Sequence, residues 1–225
     1  MAVLHHYALC PHSRFVRLSL GEMGIESETA DERPWDREES FLRLNPSGTT
    51  PVLCEDDLAV PGATLIAEYL DETRGAALNG RRLLPVERAN RVEVRRLTEW
   101  FNGKFFEEVT SYLVEEKVLK RFGRGAAPDA SAIRAARANM RYHLRYIGHL
   151  AGTRNWLAGD TLTYADLAAA AHLSCADYLG DVPWDEDEHA RDWYARVKSR
   201  PAFRPILVDR VPGVVPSQHY ADLDF

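Results

Sequence analysis

In "LCPHSRFVR" an apolar run gives way to a helix-periodic one, and Cys10, Pro11, His12 and Ser13 stand at the junction. A thiolate at a helix start is stabilised by unpaired backbone NH groups and the helix dipole. Cys10 could therefore be a nucleophile of lowered pKa, or Cys10 and Ser13 could polarise a thiol bound from outside. The structural alternative is that Cys10 packs and Ser13 caps the helix. A second stretch, "NPSGTTPVL", places Thr50 before Pro51 at the opening of an apolar strand. A proline there has no ladder donor to lose and suits a cis bond, in a turn that offers the Thr50 backbone to an extended peptide. The adjacent His5 and His6 fall on opposite faces of a strand, which argues against joint metal ligation.

The elements that position these groups follow from hydrophobic period. Up to about residue 80, short apolar runs alternate with helical ones in the order βαβαββα, with Gly24 stopping the first helix. Beyond the connector "GAALNGRRLLP" nearly everything is helix-periodic. The expected division is an α/β domain over 1–78, a linker over 79–86, an all-helical domain over 87–210 and an extended tail over 211–225. Thr163 and Asp166 in "TLTYADLAAAA" form a capping box, with Leu162 placed to staple against Leu167. The acids of "WDEDEHARDW" fit a helix start. "RRLTEWFNGKFF" reads as core plus a dimer seam.

The chain has 225 residues, 45% of them hydrophobic and 28% charged, and a formal net charge of -6. That balance argues against a nucleic-acid partner, which needs a concentrated basic face. No apolar run is long enough to cross a bilayer and the N-terminus lacks a signal-peptide core, so a cytoplasmic protein without membrane insertion is expected. Cys10, Cys54 and Cys175 are odd in number and widely spaced, which excludes a fully paired disulfide framework and any CxxC metal site.

Taken together, "CPHSRFVRLSLGEMGI", "NPSGTTPVL", "LIAEYLDE" and "AGDTLTYADLAAAAHL" resemble the glutathione transferase superfamily from about Val3 to Pro205. The resemblance implies a thioredoxin-like N-terminal domain joined to a helical-bundle C-terminal domain. It implies Cys10 or Ser13 beside the thiol of glutathione, and Thr50 and Pro51 along its cysteinyl backbone. It also puts Gly62 and Ala63 where active members carry an acidic residue and a serine that hold the γ-glutamyl group. Gly62 has no side chain, and Ala63 offers only a backbone NH. Hydrogen bonds to charged groups contribute about 1.5–3 kcal/mol each, so losing two lowers affinity by roughly two to four orders of magnitude. Glutathione is thus expected to bind weakly or not at all, and no cofactor is expected.

If that pocket is vestigial, function lies on a surface. The tail "VPGVVPSQHYADLDF" ends with Asp222, Leu223, Asp224 and Phe225, acid alternating with hydrophobe, which suits docking into a basic-edged groove. The alternative is a tail packed back on its own domain, with Tyr220 buried. Trp35 in "TADERPWDREES" stands outside any apolar period and is a candidate hot spot. On "FFEEVTSYLVEEKVLK", Glu108 and Glu115 are expected to share a face, with Glu116 close by. Within the superfamily the chain resembles the transferase-like division proteins of alphaproteobacteria. That resemblance implies a homodimeric, non-catalytic adaptor at the division site that binds FtsZ filaments and alters their curvature or bundling. The rival is an active glutathione transferase or thiol transferase using Cys10.

Overall fold

The structure, a computed structural model, describes residues 2–123 and 127–223. Ala2–His6 forms β1 and Ser27–Asp31 forms β2, with α1 between them over Pro11–Met23. A parallel strand pair needs such a crossover. Pro11 suits the first turn of α1, since its missing donor has no intrahelical partner there, and Gly24 ends the helix at φ 68°. Then come α2 (Glu39–Leu44), β3 (Val52–Glu55), β4 (Leu58–Pro61) and α3 (Ala63–Arg74). The sheet order is β2-β1-β3-β4, with β1 parallel to β2 and antiparallel to β3, the thioredoxin-like arrangement. Alternation along β1 buries Leu4 and His6 and turns His5 to the other face, where its Nδ1 lies 2.7 Å from Glu32.

The helical domain opens with α4 (Arg88–Glu99), which continues through π-helical turns at Trp100–Thr110 into α5 (Ser111–Val114). π-helical turns at Glu115–Leu119 lead on to α6 (Lys120–Gly123). α7 (Ala130–Thr153), α8 (Tyr164–Tyr178), α9 (Glu188–Lys198) and α10 (Arg204–Leu207) complete it. Every residue of α8 is buried, and its run of alanines lets α1, α4 and the π-helical segment pack closely on it. The capping box forms: the Thr163 N–H donates to Asp166 Oδ2 at 3.0 Å. Asp166 Oδ1 accepts from the Leu157 N–H and from Trp193 Nε1. Asp187 caps α9 by accepting from the Ala190 N–H.

Two contacts lock the domains together. Tyr164 donates from its hydroxyl to the Ala67 carbonyl at 3.1 Å and packs edge-on against Phe15. Arg14, fully buried, donates to the Ala8 carbonyl at 2.8 Å and to Ser174 Oγ at 2.9 Å. A buried guanidinium tied to both α8 and the residues before α1 fixes the start of that helix in place.

The tail departs from the extended form expected of it. Val211 and Val214 bridge across a turn at Gly213, and the chain folds back on α8. Ser217 Oγ donates to the Asp177 carbonyl, and Lys198 Nζ to the His219 carbonyl. Tyr220 is 1% exposed and donates to the Ile206 carbonyl at 3.0 Å. The prolines and Gly213 that prevent a helix here favour turns, and Tyr220 supplies the apolar surface that makes them pack.

Candidate functional site

A cleft of about 1390 Å³ lies between the domains. Its floor is the junction of β1 and α1. Cys10 is the N-cap of α1, and its Sγ lies 3.7 Å from the Thr50 carbonyl oxygen, which it approaches as a weak donor. The Thr50–Pro51 bond is cis. Burial alone would raise the Cys10 thiol, but hydrogen bonding and charge attraction to His12 prevail, with smaller help from Ser13 and Thr50. The result is a pKa lowered to about 7. The same contact raises His12 against the effect of its own burial.

His12 is held from the other side. Its Nε2 donates to the Asn102 carbonyl at 2.9 Å, and its ring packs edge-on against Phe106 and His172. His172 is fully buried and kept neutral by that burial; it bridges Thr110 Oγ1 and Asn102 Oδ1. The π-helical turns at Trp100–Thr110 thus carry Asn102, Phe106 and Thr110 against the α1 start. Such turns occur often where a helix serves a site. The Asn102 Nδ2 and the Tyr7 hydroxyl have no hydrogen-bond partner among the described residues, and both residues line the cleft.

Of the residues singled out from sequence, Cys10, Thr50, Gly62, Ala63, Trp35, Glu115 and Glu116 all line this one cleft. Pro51 is buried and is not among the residues that line it. Ser13 does not cap α1, because Cys10 occupies that position; it is fully buried, and its hydroxyl has no partner of ordinary geometry among the described residues. Gly62 precedes α3 at φ 89°, its N–H bonded to the Pro51 carbonyl at 2.9 Å. Trp35 stands edge-on to Tyr7 at 5.2 Å and parallel to Phe122.

The expectation that Glu108 and Glu115 share a face is corrected. Glu108 is turned to Lys104 and to His143 of α7, whereas Glu107 lines the cleft with Glu115. The π-helical turns widen the repeat beyond 3.6 residues, so seven-residue spacing no longer returns to the same face. Glu116 is almost fully buried, bonded to Lys120 Nζ at 2.6 Å and to the Asp129 N–H at 2.7 Å, while Glu115 is exposed. Asp222 and Leu223 do not line the cleft; Asp224 and Phe225 lie outside the described residues.

Sequence reasoning assigned no role to Tyr7, His12 or Asn102. His12 was legible as a second polar group two residues after Cys10, but Asn102 becomes part of the site only through the tertiary fold. The sequence offered Glu115 and Glu116 as an acidic run, but not their meeting with Glu99 and Glu107 on one cleft. Among the described residues that line it are Glu99, Glu107, Glu115 and Glu116, and no lysine or arginine. No group of three or more metal-ligating side chains occurs among the described residues, and no helix there is long and apolar enough to cross a membrane.

Comparison with known proteins agrees with the fold. The glutathione S-transferase N-terminal domain family matches residues 9–73, and the C-terminal domain family matches residues 113–201. FtsZ-localized protein A of Caulobacter vibrioides is 47% identical over 226 residues, covering 99% of this chain and 97% of that protein. A crystal structure described as a glutathione S-transferase from Sinorhizobium meliloti superposes with a TM-score of 0.97 at 50% identity, covering all of both chains. The structure of FzlA from C. crescentus superposes with a TM-score of 0.95 at 47% identity, over 100% of this chain and 99% of that one. The chain belongs to the glutathione S-transferase family.

Proposed function

We propose that this protein is a non-catalytic, homodimeric adaptor that binds FtsZ at the division site and modulates its filaments, with no bound cofactor. The observation that carries the reading is the near end-to-end similarity to a protein named for its localisation to FtsZ. Gly62 and Ala63 support it, because neither side chain can hold a γ-glutamyl group, and an acidic cleft with no lysine or arginine among the described residues that line it suits an anionic tripeptide poorly. The same cleft, with Trp35, Phe106 and Tyr112 beside Glu107 and Glu115, suits a segment of basic and apolar residues. Asp222, Leu223, Asp224 and Phe225 would add a second contact. Two identical sites on one rigid dimer bridge neighbouring filaments at high effective concentration.

Light scattering of FtsZ polymerised with nucleotide tests this. Addition of the dimer raises the signal through bundling, while a demonstrably monomeric variant binds without raising it. Unchanged scattering and filament shape with the parent protein would contradict the reading.

A second reading, a glutathione transferase or thiol transferase using Cys10, is favoured by one observation, the low pKa of that thiol. It requires steady turnover with reduced glutathione, lost on Cys10→Ser.

A further inference from the structure

Charge is spread unevenly along this acidic chain. Between Lys117 and Arg154 stand nine lysine or arginine residues and one carboxylate, Asp129, although the formal net charge of the whole is -6. Asp129 is taken up at the start of α7, where it accepts from the Ser131 and Ala132 N–H groups. Four of the arginines, Arg134, Arg137, Arg141 and Arg145, recur at steps of three or four residues and so form one row along α7. The row is about 16 Å long at the helical rise. All four are exposed, and the opposite face buries Ala136, Met140, His143 and Ile147. Asp181 is buried and shared by Arg137 and Lys117, so that group keeps a net positive charge. Arg141 meets Glu186 at 2.6 Å, with half of its side chain still exposed. Arg134 and Arg145 have no hydrogen-bond or ion-pair partner among the described residues. Beside the row runs a second one, Ala135, Ala138 and Tyr142, also exposed. Its alanines admit a close partner, and the Tyr142 ring offers that partner an apolar surface. None of these residues lines the cleft between the domains.

We infer that this face of α7 docks an acidic peptide segment of a partner protein, at a site separate from the acidic cleft. The partner's chemistry follows from charge complementarity. Guanidinium groups pair with carboxylates in bidentate fashion, and Arg134 and Arg145 have no existing pair to give up. An extended segment of about five residues covers their separation at the rise of a strand. Carboxylates at its two ends then meet both arginines, with an apolar side chain set against Tyr142. A polynucleotide is disfavoured, because its phosphates would run from so short a row onto a surface that carries the acidic excess of the chain. A bilayer is disfavoured too, since two alanines and one tyrosine supply little apolar surface to insert. The inference does not depend on the adaptor reading; together the two give each subunit two docking faces of opposite charge.

Fluorescence anisotropy tests the site with a fluorescein-labelled octapeptide of Asp and Glu around a central Phe-Leu pair, and with the same peptide made neutral with Asn and Gln. The acidic probe binds the full chain, the neutral one binds about tenfold or more weakly, and the difference narrows as salt rises. Arg134→Glu with Arg145→Glu weakens binding of the acidic probe by about tenfold or more. Arg134→Gln with Arg145→Gln, which introduces no carboxylate, acts in the same direction. Arg204→Glu with Arg210→Glu makes an equal change in net charge at exposed residues outside α7 and alters binding by less than about twofold. Melting curves and sedimentation velocity show these variants folded and in the oligomeric state of the parent. Failure of the acidic probe to bind, equal binding of the neutral probe, or equal loss in the Arg204 and Arg210 control overturns the site. Tighter binding of an oligothymidylate or of phosphatidylglycerol vesicles than of the acidic peptide, lost in the Arg134 and Arg145 variants, makes the row a phosphate-binding face and overturns the peptide assignment. A fall of those variants alone to a smaller oligomer makes the row a seam between copies of this chain and overturns it as well.

Discussion

Trp35 of the thioredoxin-like domain lies parallel to Phe122 of the helical domain, ring centroids 6.2 Å apart and planes 6° from coincidence. The two side chains come from elements 87 positions apart in sequence and meet beside a cleft lined by Glu99, Glu107, Glu115 and Glu116, with no lysine or arginine among the described residues that line it. A half-buried tryptophan paired with the exposed Phe122 beside carboxylates is a typical hot-spot composition.

Trp35→Ala removes one ring of that pair while leaving the buried core intact. Partner affinity falls by about 2 kcal/mol or more, roughly thirtyfold, and thermal stability changes little. A binding curve and a melting curve on the same preparation separate the two effects.

Glu115 and Glu116, adjacent in sequence, respond oppositely. Glu115→Lys weakens docking and reduces its salt dependence without altering the melting temperature, because the side chain is exposed. Glu116→Gln lowers the melting temperature. Its carboxyl is held below the usual range by Lys120 first and by the Asp129 N–H second. A depressed carboxylate contributes stability above the unfolded value and loses it as pH falls through the folded one. The melting difference between parent and Glu116→Gln therefore shrinks in acid, as calorimetry at several pH values will register.

Gly62→Gln combined with Ala63→Ser rebuilds the side chains that hold a γ-glutamyl group. Space for a Cβ is open at Gly62, with no heavy atom within 4 Å, although φ 89° and ψ 141° cost a side-chain residue about 1–3 kcal/mol. Titration calorimetry with reduced glutathione shows an affinity gain of about tenfold to a hundredfold over the parent. No gain would mean that the acidic cleft, rather than the missing clamp, sets the weakness.

Tyr220→Ala cuts the anchor of the tail. The ring contacts Tyr178 at 5.0 Å between centroids, and its hydroxyl is satisfied by Ile206. Loss of a buried aromatic costs about 3 kcal/mol or more, and hydrogen exchange rises across 211–223 while α1 stays protected.

Local pattern exposed most of the fold. The period change near residue 80, Gly24 as a stop and the Thr163–Asp166 box each correspond to an element seen in the structure. The cleft was legible as separate pieces, Cys10, Thr50 and Gly62, because each lies at an element boundary with its own local signature. Its far wall was not. The π-helical turns that swing Glu107 inward and Glu108 outward leave no trace in a 3.6-residue reading, and Asn102 reaches His12 only through tertiary packing. The tail misled for a related reason: proline and glycine exclude helix but do not decide between extension and a packed series of turns.

Co-sedimentation with polymerised FtsZ tests the central claim most directly. The parent, a folded Trp35→Ala variant and a chain ending at Ala221 are each spun with verified filaments. The parent pellets with the filaments, and both altered forms remain largely in solution. A parent that stays in the supernatant beside intact filaments would contradict it and return Cys10-centred enzymology to first place.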